Sequence, residues 1–231
     1  MKGSQPSRVL LDISPDNESE SNLNGHRTPH SPNSLTPPEK AVAVLCLCFR
    51  SSHMSFCRKF YISDTHFLHD NVLQFSNRPF RSIEEHDEHL IQQWNLVVGQ
   101  DDIVYHLGDF AFSLTDKAGK VRWIFSRLNG RKRLVIGNHD LRHGELHPTI
   151  AGLPWDTRPE GFIFTEDEGA KLVLAHYAQR SWQWERKGGY HFYGHAHGAL
   201  PGIGRSRDVG VDMPDVRFTP STFKELTEGM K

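Results

Sequence analysis

Short apolar runs in this sequence end abruptly at polar residues, in places where a buried strand would otherwise simply turn. The clearest case is VIGNHD, Val135 to Asp140, where an apolar run leads straight into a Gly-Asn-His-Asp turn. Four other segments repeat the pattern: YISDTH from Tyr61, VYHLGD from Val104, LVLAHY from Leu172 and HFYGHAH from His191. In an open α/β sheet, ligands bind outside the carboxyl ends of the strands. We therefore expect an α/β fold whose strand ends bring metal-type ligands to one edge.

Seven Asp, Asn and His residues of these segments are candidate metal ligands. They are Asp64, His66, Asp109, Asn138, His176, His195 and His197. The first two and the last two are each separated by one residue, which in an extended segment places both side chains on one face. Asp109 and Asn138 each follow a glycine, which lets the backbone turn tightly. These oxygen and imidazole donors suit octahedral or near-octahedral manganese, iron, zinc or magnesium better than a structural zinc site.

Composition limits the classes of partner. With 27 Lys and Arg against 28 Asp and Glu, the net charge is -1, so there is no strong nucleic-acid signal. Fifteen histidines are many for 231 residues and raise the expectation of a metal. The three cysteines, Cys46, Cys48 and Cys57, predict neither a disulfide framework nor a zinc knuckle. No segment is predicted to span a membrane, since Ala41 to Phe49 is too short, and we expect a cytoplasmic protein.

The chain divides into a disordered N-terminal extension, residues 1–53, and one domain, residues 54–231. The extension is predicted from a segment, Met1 to about Lys40, that is rich in proline and serine and has no aromatic residue. Such a segment buries too little apolar surface to offset its conformational entropy. Met54 lies ten residues before the first motif, so we expect it to be a usable start.

Within the domain, the clearest helix is Ser82 to Val98, which opens with a capping box at Ser82 and Glu85. A second helix is expected over about Thr115 to Leu128, with Val121, Trp123, Ile124 and Leu128 as its buried side. Leu141 to Glu160 is read as a long loop. Strands are expected to pair in parallel in the first half of the domain and in an antiparallel manner in the second half.

The motifs DxH, GD, GNHD, a strand-ending His and GHxH, in that order, resemble those of the calcineurin-like metallophosphoesterase superfamily, especially its compact bacterial and phage members. The resemblance covers roughly Phe60 to the end and implies an α/β fold, a four-layered α/β/β/α sandwich with mixed sheets and a metal site at the carboxyl ends of the strands. One motif departs from the pattern. Many members read GDxxD or GDxxR, whereas here the segment is GDFAF, with Phe112 in the last position.

The resemblance also implies a dinuclear site and an activity. Asp64, His66 and His197 would hold one divalent ion, Asn138, His176 and His195 the other, and Asp109 would bridge them. Manganese is the first choice of metal, with iron, zinc, nickel and magnesium as alternatives. The implied enzyme is a phosphoric ester hydrolase, for phosphodiesters or phosphomonoesters, that uses a metal-bridging hydroxide as the nucleophile.

Two further residues of the GNHD motif complete the catalytic hypothesis. His139 is the candidate general acid, and Asp140 is expected to fix its tautomer and favour its protonated form. Arg78 and Arg180 lie close in sequence to the ligand loops and are candidate phosphate contacts, because a guanidinium group matches phosphate geometry. We expect a small phosphorylated substrate. The alternatives are a nuclease with the same metal centre and a non-catalytic scaffold of the same fold.

Overall fold

The structure is a computed structural model that describes residues 57–230. The expected disordered extension, residues 1–53, and the expected start at Met54 lie outside the described residues. Cys57 is described and is an exposed free thiol.

Within residues 57–230, ten strands form two main sheets and one hairpin. In chain order they are β1 Lys59–Ile62, β2 Ile103–His106, β3 Arg131–Leu134, β4 Leu141–Arg142, β5 Glu145–Leu146, β6 Phe162–Asp167, β7 Ala170–Ala175, β8 Tyr190–Tyr193, β9 Ser206–Asp208 and β10 Ser221–Thr222. The first sheet has the order β10-β1-β2-β3, and the second has the order β6-β7-β8-β9. Strands β4 and β5 pair only with each other.

Each main sheet is mostly parallel and carries one antiparallel strand at an edge. In the first sheet β1, β2 and β3 are parallel and β10 is antiparallel to β1. In the second sheet β7, β8 and β9 are parallel and only β6 is antiparallel. The predicted α/β class with mixed sheets is therefore confirmed. The prediction of antiparallel pairing throughout the second half is wrong, because the connections before β8 and β9 return the chain to the same end of the sheet.

The helices are α1 Val72–Phe75, α2 Ile83–Val97, α3 Ala118–Arg127, α4 Pro148–Ala151 and α5 Phe223–Thr227. Helix α2 begins as predicted, since the Ser82 side chain accepts a hydrogen bond from the Glu85 amide at 3.2 Å. Glu85 itself bonds to the amide of Arg81. Helix α3 is shorter than predicted, and Trp123 is 58% exposed rather than buried. The expected loop, Leu141 to Glu160, instead contains the β4–β5 hairpin and helix α4.

The two main sheets pack face to face, and helices cover the outer face of the first. Tyr61 and Tyr105 of the first sheet share a buried cluster with Leu174 and Phe192 of the second. The opposite face of the first sheet packs on α2 and α3 in a separate cluster. On the outer face of the second sheet, buried Trp182 packs against the ring of His191 at 5.6 Å. None of the helices in residues 57–230 is long and apolar enough to cross a membrane.

Candidate metal centre

The proposed ligands all follow the carboxyl ends of strands. They are Asp64 and His66 after β1, Asp109 after β2, Asn138 after β3, His176 after β7, and His195 and His197 after β8. Because β1 to β3 are parallel in one sheet and β7 and β8 are parallel in the other, the loops of each sheet leave it at a single end. The two ends lie together, since the His195 amide donates to both Asp64 carboxylate oxygens at 3.1 and 2.9 Å.

Three of the side chains form a first donor group, defined as Asp64, His66 and His197. Each offers one ligand atom, and the three atoms lie within 4.8 Å of one another. Asp64 and His66 are buried, while His197 is half-buried. One carboxylate oxygen and two imidazole nitrogens at this spacing can converge on one cation.

A second donor group consists of Asp109, His176 and His195. Their ligand atoms also lie within 4.8 Å of one another, and His195 is exposed. Asn138 lies beside this group, with its side-chain oxygen 3.1 Å from Nε2 of His176. The same oxygen accepts a hydrogen bond from the Tyr177 hydroxyl at 3.2 Å.

The carboxylate of Asp109 lies between the two groups. Its Oδ2 atom is 3.4 Å from Nε2 of His176, in the second group, and 3.7 Å from Nε2 of His66, in the first. Burial acts to raise the pKa of this carboxyl, but the neighbouring His176 and the hydrogen bond from the His139 amide hold it well below its usual range. Asp109 is thus anionic and faces both groups with one oxygen atom.

The ligand loops are not extended, which corrects the reason given above for the ligand spacing. Five proposed ligands have positive φ angles: Asp64 at 57°, His66 at 49°, Asp109 at 57°, His195 at 65° and His197 at 48°. This left-handed conformation costs a residue with a β-carbon roughly 1–2 kcal/mol. The paired ligands therefore reach the site through left-handed turns rather than through the alternation of a strand.

Two glycines allow these turns to approach each other. Gly108 has a φ angle of 99°, and a β-carbon there would lie 2.5 Å from Nδ1 of His176. A β-carbon on Gly194 would overlap the side-chain oxygen of Ser63 and would lie 2.6 Å from Oδ2 of Asp64. A side chain at either glycine would push a ligand loop away from its neighbour.

The chemistry of the donors fits divalent cations. The Nε2 atom of His66 is buried and has no hydrogen-bond partner within residues 57–230. Burial lowers the pKa of this imidazole to about 2, so the ring is neutral and the nitrogen can offer a lone pair. Burial raises the pKa of Asp64 to about 7, which a nearby cation would reverse. Imidazole nitrogens beside buried carboxylates are a typical ligand set for a transition-metal dication.

Hydrogen bonds on the far side of two imidazoles fix which nitrogen faces the site. Nδ1 of His176 donates to the carbonyl of Leu107 at 2.7 Å, which leaves Nε2 facing Asp109. Nδ1 of His197 lies 2.6 Å from Oδ2 of Asp212. Such outer partners are a general feature of metal-binding histidines, because they set the tautomer and the ring orientation.

Arg78 is a structural residue of the first donor group rather than a phosphate contact, which corrects the prediction. Its side chain has no exposed surface, and its guanidinium group binds both carboxylate oxygens of Asp212 at 2.8 Å. It also donates to the carbonyls of Asp64 and Thr65 and to the ring of His86. With its donors engaged inside the protein, Arg78 does not reach a substrate.

Asp140 holds two ligand loops together and makes no hydrogen bond or ion pair with the ring of His139, contrary to the prediction. Its carboxylate accepts the amides of Asp109 at 2.9 Å, Phe110 at 3.1 Å and Gly137 at 2.9 Å. Burial raises the pKa of Asp140 to about 7, although these three amides act in the opposite direction. The residue connects the GD loop to the GNHD loop.

His139 lies at the mouth of the site. Its side chain is 39% exposed, and Nε2 is 3.9 Å from Oδ2 of Asp109. Its backbone amide donates to Oδ1 of the same carboxylate at 2.8 Å. A partly exposed imidazole that faces the shared carboxylate is well placed to exchange a proton with a substrate oxygen.

Sequence reasoning missed Asp212 and Tyr177. Asp212 follows β9 in the segment DVGVD, which repeats the apolar run ending in an acid that marks the other ligands, so the same signal could have found it. Tyr177 is 53% exposed, and its ring lies 4.4 Å from that of His195. Arg180 is exposed and makes no hydrogen bond or ion pair with the rest of residues 57–230, so its contact with phosphate stays a prediction.

Comparisons with known proteins agree with this architecture. No protein-family model matches the sequence. The chain is 38% identical to the uncharacterized protein MJ1445 of Methanocaldococcus jannaschii over 144 residues, which are 62% of this chain and 72% of that protein. It is 40% identical to the Gene 66 protein of Mycobacterium phage L5 over 36% of this chain and 40% of that protein. The crystal structure of AQ665, a protein of unknown function from Aquifex aeolicus, aligns with a TM-score of 0.57 and 23% identity, over 74% of this chain and 98% of that one, and so shares the fold.

Proposed function

We propose that this chain, which belongs to the family of MJ1445, is a metal-dependent phosphoesterase of the calcineurin-like metallophosphoesterase superfamily. The observation that carries the proposal is the position of Asp109, with one oxygen between two donor groups and His139 beside it. A site that holds two neighbouring divalent cations would be suited to phosphoryl transfer to water. We expect a small phosphorylated substrate and a cytoplasmic location.

The residues divide into two proposed sets of ligands. Asp64, His66 and His197 would hold one divalent cation, and Asp109 would be shared. The second cation would be held by Asn138, His176 and His195. When bound, the two cations would neutralise phosphoryl oxygens and lower the pKa of a water molecule from 15.7 to roughly 7. We propose manganese as the native metal, with iron, zinc, nickel and magnesium as alternatives.

His139 is the proposed general acid. As the bond between phosphorus and the leaving oxygen breaks, its Nε2 would give a proton to that oxygen, and the product would leave as a neutral alcohol. Its partial exposure allows the ring to recover a proton from solvent for the next turnover. The amide hydrogen bond to Asp109 keeps the residue close to the shared carboxylate.

The test combines metal analysis with hydrolysis. Purified full-length protein is loaded with Mn²⁺, its metal content is measured, and p-nitrophenyl phosphate, bis-p-nitrophenyl phosphate and alkyl phosphate esters are offered. We expect two metal ions per chain and hydrolysis that a chelator abolishes. Cleavage confined to DNA or RNA would favour a nuclease, and no hydrolysis with any substrate or metal would favour a scaffold.

The role of His139 has a specific signature. His139→Gln should lower kcat by about 10²-fold or more for an alkyl ester, while metal content stays unchanged. The loss should be smaller for p-nitrophenyl phosphate, since that leaving oxygen departs without a proton. His143→Asn, at an exposed histidine near the β4–β5 turn, is the matched control. Equal losses on both kinds of ester would contradict a general acid.

A further inference from the structure

A cavity opens directly beside Asn138 and His139 of the GNHD motif. Its volume is about 330 Å³, and Asn138 and His139 form part of its wall. The rest of the wall includes Phe112, Leu114, Thr115 and Leu141. This volume lies at the lower end of the range of small-molecule sites, about 300–1,000 Å³. It is large enough for a part of a ligand that contains one ring or a few rings.

Phe112 presents an aromatic ring to this cavity. The residue is 37% exposed, as is Leu141 on the same wall. The ring of Phe112 stacks on that of His69, with centroids 4.0 Å apart and planes inclined by 17°. A ring that is fixed by stacking on one neighbour can offer apolar surface to a ligand at little cost in side-chain entropy.

The stack is joined to the proposed catalytic group. The ring of Phe112 lies 5.4 Å from that of His139, with planes inclined by 67°. His69 is in turn 3.4 Å from His66, measured between their Nδ1 atoms. The aromatic surface thus begins next to the residue that would protonate the leaving oxygen.

This position determines which part of a substrate the cavity would hold. With the phosphoryl group between the donor groups and the leaving oxygen near His139, the remainder of the leaving alcohol would extend into the cavity. A flat aromatic ring there can make an offset-stacked or edge-to-face contact with Phe112, whereas a puckered saturated ring cannot. Stacking of a nucleic-acid base on an aromatic side chain strengthens binding by about 5- to 150-fold, which gives the scale of the preference.

We propose that Phe112 is a specificity residue and that the cavity takes a planar aromatic group carried by the leaving alcohol. This inference rests on the proposed phosphoesterase function, because that function places the leaving oxygen at His139. The substrate class is therefore phosphate esters of ring-bearing alcohols, of which nucleosides and simple aryl alcohols are two sources.

The test uses ligands that differ only in the flatness of their ring. Benzylphosphonate and cyclohexylmethylphosphonate have six-membered rings and are not hydrolysed at phosphorus, so calorimetry on the Mn²⁺-loaded full chain measures binding without turnover. We expect the benzyl compound to bind roughly 10-fold more tightly, near the lower end of the stacking range. Phe112→Ala should bring the ratio of the two affinities close to one. Phe112→Leu, which retains apolar surface but no flat face, should give a reduced ratio.

Trp123→Ala is the control, because Trp123 is a 58% exposed aromatic residue that does not line this cavity. It should retain the wild-type ratio. Metal content equal to that of the wild type shows that each Phe112 variant is folded. Equal binding of the two phosphonates by the wild type, an unchanged ratio in both Phe112 variants, or binding of neither compound would overturn the inference.

Hydrolysis of benzyl phosphate and cyclohexylmethyl phosphate separates this inference from the proposed function. Turnover of both esters without a preference supports the phosphoesterase and refutes the role of Phe112. A binding ratio that depends on Phe112, without turnover of either ester, supports the role of Phe112 and refutes the phosphoesterase. Adenosine 5′-monophosphate compared with ribose 5-phosphate then distinguishes the sources: a preference for the former assigns a nucleoside, and a preference restricted to the benzyl compounds assigns a simple aryl alcohol.

Discussion

The first and second donor groups contain similar atoms but are supported in different ways. Behind the first group, His197 contacts Asp212, and Asp212 pairs with the fully buried Arg78. Behind the second group, His176 is held by a backbone carbonyl, and His195 is exposed to solvent. The difference teaches that one side of the site is fixed by buried charges while the other side is open to solvent.

The buried side depends on charge pairing. His197 and Arg78 hold the pKa of Asp212 at about 2, although burial alone would raise it. Arg78 also contacts His86, whose pKa is lowered by burial, and this neutral ring donates to Asp87. A buried guanidinium is tolerated only where acceptors surround it. The contacts that satisfy Arg78 hold the first group rigid, and the loss of any one of them would leave a buried charge unpaired.

Asp109→Asn should have the largest effect, because it removes the charge that the two groups share. Two bound cations contribute several kcal/mol of charge stabilisation, so activity should fall on the order of 10³-fold or more. Metal analysis should show fewer than two ions per chain. Asp101→Asn, at an exposed aspartate, is the control. Two ions per chain in Asp109→Asn would show that the groups bind their metals independently.

Asp212→Asn should affect the first group selectively. Replacing an outer partner of a metal-binding histidine typically lowers metal affinity about 10–100-fold. A metal titration should therefore show one weakened site and one unchanged site. The variant also leaves the charge of Arg78 unpaired, so the free energy of unfolding should fall by about 3–5 kcal/mol.

Asp215→Asn is the matched control for Asp212→Asn, because Asp215 lies in the same loop and pairs with Arg207 near the surface. It should leave both metal affinities unchanged. Equal weakening of both sites in Asp212→Asn would mean that the charge network supports the whole centre, and the contrast between the groups would be lost.

Arg180→Ala should have the smallest effect and concerns the exposed side. An exposed cation contributes roughly 0–1 kcal/mol to a contact with an anion, so KM should rise by no more than about 5-fold with kcat unchanged. Arg186→Ala, at an exposed arginine of the same connection, is the control. An unchanged KM would remove Arg180 from the substrate site.

The sequence predicted the parts of the centre that depend on local pattern. Apolar runs that end in Asp, Asn or His are visible without a structure, and parallel strands bring their ends together. The Ser82 cap of α2 was equally local, since three residues separate donor and acceptor.

Contacts between residues far apart in the sequence could not be predicted from such local patterns. Arg78 was predicted to contact substrate because its partner, Asp212, lies 134 residues away. Asp140 was assigned to its neighbour His139, whereas its carboxylate binds amides of another loop 30 and 31 residues away. The left-handed ligand turns were missed for a different reason: Asp and His are enriched in that conformation but adopt it at only a minority of positions, so the assembled site decides where it occurs.

The bond from the His195 amide to the Asp64 carboxylate joins the two sheets at the ligand-bearing end. An amide in such a place exchanges its hydrogen with water only when the sheets separate locally. Deuterium uptake at this single position would therefore report the opening of the sandwich. The rate of uptake should fall as cations fill the centre, so it would measure metal loading without a substrate.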